Sequence, residues 1–119
     1  MPDTVSWNLR LSVRDGQLEK VQTLMTEMVA STRQEEPGTE AYEWFISEDG
    51  STCHIYERYV NSDAVIAHLN NFGANFAERF LGCLEPVTFT VYGDPSPTAR
   101  GALDGFGANY FEWIGGFSR

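Results

Sequence analysis

Positive charge is scarce in this sequence of 119 residues. Eight lysines and arginines stand against seventeen aspartates and glutamates, which gives a net charge of −9. The sequence therefore has no dense basic patch that could neutralise phosphates, and we expect no nucleic-acid partner. Lys20 is the only lysine. A Schiff-base mechanism would depend on that one residue of an amphipathic pattern, so the sequence disfavours it.

Long apolar runs and closely spaced cysteines are also missing. No stretch of about 18 apolar residues could cross a bilayer, and residues 1–4 lack the basic start and apolar core of a signal peptide. We therefore expect a cytoplasmic protein that does not bind membranes. Cys53 and Cys83 have no second pair at the spacing of a metal site. The sequence predicts two ordinary thiols and no metal.

Hydrophobic residues make up 42% of the chain, and their spacing predicts strands and helices in turn. Apolar residues alternate with polar ones in the strands and recur every three or four positions in the helices. Ser62 is the expected N-cap of the second helix, and Gly73 predicts either a break near 71–74 or a bend. The predicted strands are 5–13, 40–47, 52–60 and 87–92, and the predicted helices are 17–33 and about 62–81.

This order, βαββαβ, predicts an α+β, ferredoxin-like domain over residues 1–92, with a four-stranded antiparallel sheet and two helices on one face. The other face of the sheet would be bare, yet the strands carry large side chains on both sides, such as Trp44 against Phe45 and Ile55 against Tyr56. We therefore expect a homodimer in which two sheets pack face to face as a dimeric α/β barrel. A monomer is the alternative.

Residues 93–119 form a separate C-terminal arm in this prediction. Ser96 and Pro97 fit the N-cap and first position of a short helix that reaches about Leu103. The aromatic residues beyond it lie among glycines, a composition too apolar for a solvated tail. We expect the arm to pack on its own domain or on the dimer partner.

Three segments carry a resemblance to a known family. The run 36–39 (Glu-Pro-Gly-Thr), the strand ending 55–59 (Ile-Tyr-Glu-Arg-Tyr) and the helix start 62–69 with His68 resemble the antibiotic biosynthesis monooxygenase family. The resemblance covers roughly residues 5–92. Tyr59 stands where the family usually has tryptophan, and Asn75 stands near where a second histidine often occurs.

The resemblance implies a cofactor-independent monooxygenase that acts on an aromatic or quinol-type molecule, with no metal or flavin. Such chemistry needs an apolar pocket, with a base or hydrogen-bond donors near the substrate oxygen. We expect the pocket between the sheet and its helices, with His68 taking or sharing the phenolic proton. The candidate catalytic residues are His68, Tyr56 and Tyr59, and the candidate substrate-binding residues are Asn8, Trp44, His54 and Phe72.

The sequence leaves the orientation of the third strand undecided. Residues 54, 56 and 58 share one of its faces, and residues 53, 55, 57 and 59 share the other. Glu57 and Arg58 are expected to make structural or intersubunit ion pairs. Tyr56 and Tyr59 have packing or interface contacts as their alternative roles.

Other functions remain open at this point. A non-catalytic dimeric ligand-binding or stress-response domain of the same fold is the main alternative, and a purely structural module would have no enclosed pocket. Haem degradation is disfavoured, because His68 stands where the haem-degrading relatives are expected to have a tryptophan. A Ser-His-Asp hydrolase is disfavoured because neither histidine belongs to a nucleophile motif.

Overall fold

The computed structural model describes residues 3–119 and contains one five-stranded sheet with four helices. The sheet order is β2-β3-β1-β4-β5. The elements along the chain are β1 (Val5–Val13), α1 (Leu18–Glu35), β2 (Thr39–Ile46), β3 (Thr52–Tyr59), α2 (Ser62–Asn75), α3 (Ala77–Cys83), β4 (Leu84–Tyr92), α4 (Pro97–Asp104) and β5 (Asn109–Phe111).

The ferredoxin-like α+β fold is confirmed, with one more strand than predicted. β1 lies at the centre and pairs antiparallel with β3 on one side and β4 on the other. β2 pairs antiparallel with β3, and the short β5 pairs parallel with β4. Among the described helices, none is long and apolar enough to cross a lipid bilayer.

The structure decides which face of the sheet meets the helices. Trp7 of β1 lies opposite Glu57 of β3 and Val91 of β4, and all three side chains are buried. We call this face, which α1, α2 and α3 cover, the helix side, and the opposite face of the sheet the open face. Because side chains alternate along a strand, Tyr56 and Arg58 of β3 belong to the open face.

The start and end of α2 differ from the prediction. Asn61, not Ser62, is the N-cap, because its Oδ1 accepts a hydrogen bond of 3.0 Å from the backbone N–H of Ala64. The break also comes later than residues 71–74, at Phe76, whose side chain packs against the core. Gly73 stays inside α2 on an exposed surface, where glycine costs helix stability without ending the helix.

Pro86 lies inside β4 rather than before it. The register between β1 and β4 shifts between Arg10 and Leu11, where Leu11 pairs with Pro86. Proline has no N–H to donate, so it is tolerated in a strand at such an irregularity.

The first half of the C-terminal segment packs on the domain. Ser96 is the N-cap of α4, because its Oγ accepts a hydrogen bond from the backbone N–H of Ala99, and Pro97 is the first helical residue. Ala99 and Leu103 are fully buried in a core cluster that also contains Trp7. Residues 112–119 are exposed.

Candidate active site

His68 is a buried polar residue in the layer between α2 and the sheet, with 5% of its surface exposed. It follows Val65 by three positions, so both side chains lie on the face of α2 that packs on the sheet. Its Nδ1 lies 2.8 Å from Glu36 Oε1 and its Nε2 lies 3.1 Å from Glu57 Oε1. The imidazole is therefore held between two carboxylates.

Glu36 reaches His68 because a tight loop follows α1. A Cβ atom on Gly38 would lie 2.7 Å from the Cβ of Ala64, so only glycine allows the loop to approach α2 this closely. The Glu36 carboxylate also accepts hydrogen bonds from Thr39 Oγ1 at 3.0 Å and Asn71 Nδ2 at 2.8 Å. Burial raises the pKa of Glu36, but these hydrogen bonds and that of His68 outweigh it and lower the pKa below its ordinary value.

Glu57 receives a second hydrogen bond from Tyr59. The Tyr59 hydroxyl donates to Glu57 Oε1 at 2.5 Å, and the Tyr59 ring packs on Trp7 with centroids 4.7 Å apart. Burial, and then the charge of Glu57, raise the pKa of Tyr59 well above its ordinary value. Tyr59 is therefore a fixed hydrogen-bond donor. Within residues 3–119, Glu57 Oε2 accepts no side-chain hydrogen bond.

The surroundings of His68 favour its protonated form. Burial alone would lower the pKa of His68, but the charge of Glu57 and the hydrogen bonds to both carboxylates raise it to about 9. An imidazolium has no lone pair with which to accept a proton. In that form of the cluster, the two carboxylates are the groups with free lone pairs.

An apolar cavity of about 120 Å³ ends at this cluster. Seven of its lining residues are buried, and the exposed ones mark its open side. The buried residues are Trp7, Met28, Ile55, Glu57, His68, Phe80 and Phe89, and the exposed ones are Leu81, Pro86 and Phe106. The remaining lining residues are Leu9, Tyr42, Leu69, Phe72 and Ala77. The cavity joins one charged cluster to an apolar volume, as binding sites for small organic molecules do.

The predicted site residues divide between the two faces of the sheet. His68 and Phe72 line the cavity, and Tyr59 lies behind it as the donor to Glu57. Trp44 is on the helix side and packs edge-on against Phe80 and Tyr42, but it does not line the cavity.

Asn8, His54 and Tyr56 lie on the open face, so the structure does not bring them together with His68. Strand alternation is the reason. Tyr56 and His54 occupy the positions between the buried residues of β3, and Asn8 follows the buried Trp7 in β1.

Glu36 and Trp7 are parts of the site that the sequence reasoning missed, and Glu57 was expected only in an ion pair. That ion pair exists and its partner is His68, within the same chain. Arg58 pairs with Glu40 at 3.4 Å, also within the chain. One signal could have found Glu57, because it shares a strand face with apolar residues, and a buried carboxylate needs a partner.

The cluster does not have the arrangement of a metal site. The two carboxylates lie on opposite ring nitrogens of His68 and do not converge on a common point. Across the described part of the chain, no group of three or more His, Cys, Asp or Glu side chains could hold a metal ion.

Comparison with known proteins identifies the family. The sequence model of the antibiotic biosynthesis monooxygenases matches residues 4–85, more than half of the chain. The chain belongs to the antibiotic biosynthesis monooxygenase family. The resemblance that residues 36–39, 55–59 and 62–69 indicated is thereby confirmed. No curated protein sequence matches the chain significantly.

Solved structures share the fold of this family member. MupZ from Pseudomonas fluorescens is 23% identical with a TM-score of 0.86, over 98% of this chain and 94% of MupZ. SnoaB from Streptomyces nogalater, a cofactor-independent oxygenase, is 14% identical with a TM-score of 0.66, over 79% of this chain and 95% of its own. Rv0793 from Mycobacterium tuberculosis is 26% identical with a TM-score of 0.61, over 78% and 96% of the two chains. The MupZ match extends over the C-terminal segment as well.

Proposed function

We propose that this protein is a cofactor-independent monooxygenase that oxidises a small phenolic or quinol-type molecule in the cavity at Glu57. The observation that carries the proposal is the arrangement of Glu57. One of its oxygens is held by His68 and Tyr59, and the residue itself lines an apolar cavity. A positioned carboxylate in a site with little water is a general base for a substrate hydroxyl.

The proposed reaction begins with the transfer of the substrate's hydroxyl proton to Glu57 Oε2. The electron-rich ring carbon of the resulting anion then reduces dioxygen, the co-substrate, and a C–O bond forms. The peroxide takes the proton back from Glu57, which gives a hydroperoxide at that carbon and restores the carboxylate. Cleavage of the O–O bond, with loss of the remaining C–H proton, leaves a carbonyl and releases water. One oxygen atom of dioxygen enters the product and the other leaves as water, so the substrate supplies all the electrons.

The surroundings of Glu57 have defined parts in this scheme. The imidazolium of His68, 3.1 Å from Glu57 Oε1, stabilises the carboxylate that starts the reaction. Trp7 and Phe72 line the cavity and offer faces and edges to an aromatic ring. The family membership and the fold shared with SnoaB support the same class of reaction.

A second function has one observation in its favour. Both ring nitrogens of His68 are occupied by carboxylates, an arrangement that also suits a structural ion pair. On that basis the protein would bind an aromatic ligand without oxidising it.

Oxygen uptake distinguishes the two functions. Wild-type protein is mixed with hydroquinone or 1,4-dihydroxynaphthalene, and uptake is measured above the rate of spontaneous oxidation, with ¹⁸O₂ used to follow one labelled atom into the product. We expect Glu57→Gln, which keeps the shape and the hydrogen-bond acceptor, to lower the rate about 100-fold or more, as the loss of a general base does.

The matched control lies on the open face. Tyr56→Phe should leave the rate within about twofold of wild type, because Tyr56 does not line the cavity. Equal rates for Glu57→Gln and wild type would contradict the role of Glu57. Binding of the compounds in calorimetry without any uptake would favour the ligand-binding function.

We also propose that the protein is a homodimer formed through the open face. This face exposes Phe45 (56%) and Tyr92 (43%), a liability unless it is covered. Asn8 Oδ1, on the same face, is buried without a hydrogen-bond partner in the described chain, and a partner subunit could supply the missing donor.

Light scattering tests the dimer. One chain has a mass of 13.4 kDa, and we expect twice that mass at micromolar concentration. Phe45→Asp should yield the mass of one chain, whereas Ala30→Asp, on the exposed side of α1, should not. A wild-type mass near 13.4 kDa would overturn the dimer.

A further inference from the structure

The mouth of the cavity is closed in part by the C-terminal segment, which lies outside the 4–85 family match. Phe106, between α4 and β5, lines the cavity while 51% of its surface is exposed. Its ring centroid lies 6.2 Å from that of Phe72, and the two rings meet edge to face. Phe106 therefore stands between the cavity and solvent.

The turn that carries Phe106 is held in place. The backbone N–H of Ala108 donates to the carbonyl of Leu103, and that of Gly107 donates to the carbonyl of Asp104. Gly107 has a φ of +76°. These are the bonds of a Schellman motif with its left-handed glycine. Leu103 is fully buried, so the turn is anchored to the core.

The cavity behind this ring is small. Its volume of about 120 Å³ is below the roughly 150 Å³ of an apolar protein cavity known to bind benzene. A one-ring molecule thus comes close to filling it. A molecule with two fused rings would have to occupy the space where Phe106 now packs on Phe72.

We propose that Phe106 is a specificity-determining residue that limits the number of fused rings the cavity admits. The proposal rests on the proposed function, since it takes the occupant to be an aromatic molecule with a hydroxyl group. The hydroxyl lies toward the buried Glu57 and the ring edge points toward the half-exposed Phe106. Substrate size is then set by a segment outside the part of the chain that matches the family, whereas the acid–base cluster lies within it.

Calorimetric binding of phenol and 1-naphthol tests this selection without any oxidation. Wild type should bind phenol more tightly than 1-naphthol. Phe106→Ala should strengthen 1-naphthol binding about tenfold, the scale of a changed apolar contact in a pocket, and change phenol binding less than threefold. Phe106→Leu keeps an apolar side chain on the turn, and its affinity for 1-naphthol should lie between those of wild type and Phe106→Ala. Phe117→Ala removes an equally large exposed ring that does not line the cavity and should change neither affinity.

The outcomes separate this inference from the proposed function. An unchanged ratio of the two affinities in both Phe106 variants would overturn the selection by Phe106, even if the protein consumes oxygen with 1,4-dihydroxynaphthalene. A shifted ratio without oxygen uptake would support the selection and overturn the oxidation. Failure of wild type to bind either phenol or 1-naphthol would overturn both.

Discussion

The two histidines of this protein lie on opposite sides of one sheet and differ in burial and in the charges around them. His68 is buried on the helix side between Glu36 and Glu57. His54 is exposed on the open face, opposite Arg10 and Phe45 in the neighbouring strands. Burial of a charged group demands compensating charges and hydrogen bonds. The cluster on the helix side is therefore tightly defined, and two of its members line a cavity.

The largest expected difference between the two faces is in stability. His68→Ala leaves two buried carboxylates without their shared cation, and we expect it to lower the free energy of unfolding by about 3–5 kcal/mol. His54→Ala should change it by less than about 0.5 kcal/mol, because an exposed residue loses little. Urea denaturation of both variants measures the difference. Similar losses for the two would show that His68 is not a charged member of a buried cluster.

The second difference is in pH dependence. Because the pKa of His68 is raised to about 9 in the folded protein, its stabilising effect is fully present below about pH 6.5 and is lost as the pH rises toward 9. The loss should be on the order of 3 kcal/mol of unfolding free energy. Denaturation at pH 6.5, 7.5 and 8.5 follows it.

His68→Asn is the control for the pH series, since asparagine does not titrate. In this variant, the free energy of unfolding should no longer decline between pH 6.5 and 8.5. Burial also raises the pKa of Cys53, to about 11, and that of Cys83. Above about pH 8.5 the thiols therefore ionise in the unfolded chain before they do in the folded protein. The free energy of unfolding should decline in that range in the variant as well. A decline of equal size in His68→Asn across the lower range would assign it to another group.

The smallest difference is expected for two tyrosines of β3. Tyr59→Phe removes one hydrogen bond to the buried carboxylate of Glu57 and should cost about 1.5–3 kcal/mol, as bonds to charged groups do. Tyr56→Phe, on the open face, should cost less than about 0.5 kcal/mol. The midpoints of thermal unfolding report both. An equal cost would indicate that the Tyr59 hydroxyl does not support Glu57.

Much of the fold follows from sequence periodicity alone. The alternation in β1 and the three- and four-residue spacing in α1 place both elements correctly to within two residues. The sequence could not predict which face of β3 meets the helices. Alternation separates the side chains of β3 into two sets, but both sets contain large residues. The extra strand β5 is only three residues long, too short for an alternating pattern to indicate it, and it pairs with β4.

The site was predictable only in part. His68 and Phe72 follow from the helical pattern of α2 and from the family resemblance. Glu36 contacts His68 across 32 positions of sequence, through a loop whose closeness to α2 depends on Gly38. Such a contact is a property of the tertiary fold, and local pattern does not contain it.

Nitrogen NMR of the two imidazoles tests the central claim most directly, because each histidine reports on one face of the sheet. The ¹⁵N shifts are followed from pH 5 to 10, without ligand and with phenol. We predict that His68 titrates near pH 9 and that phenol shifts its signals but not those of His54. A His68 midpoint at or below about 6.5, or a ligand response at His54 alone, would contradict a functional site built on Glu57 and His68.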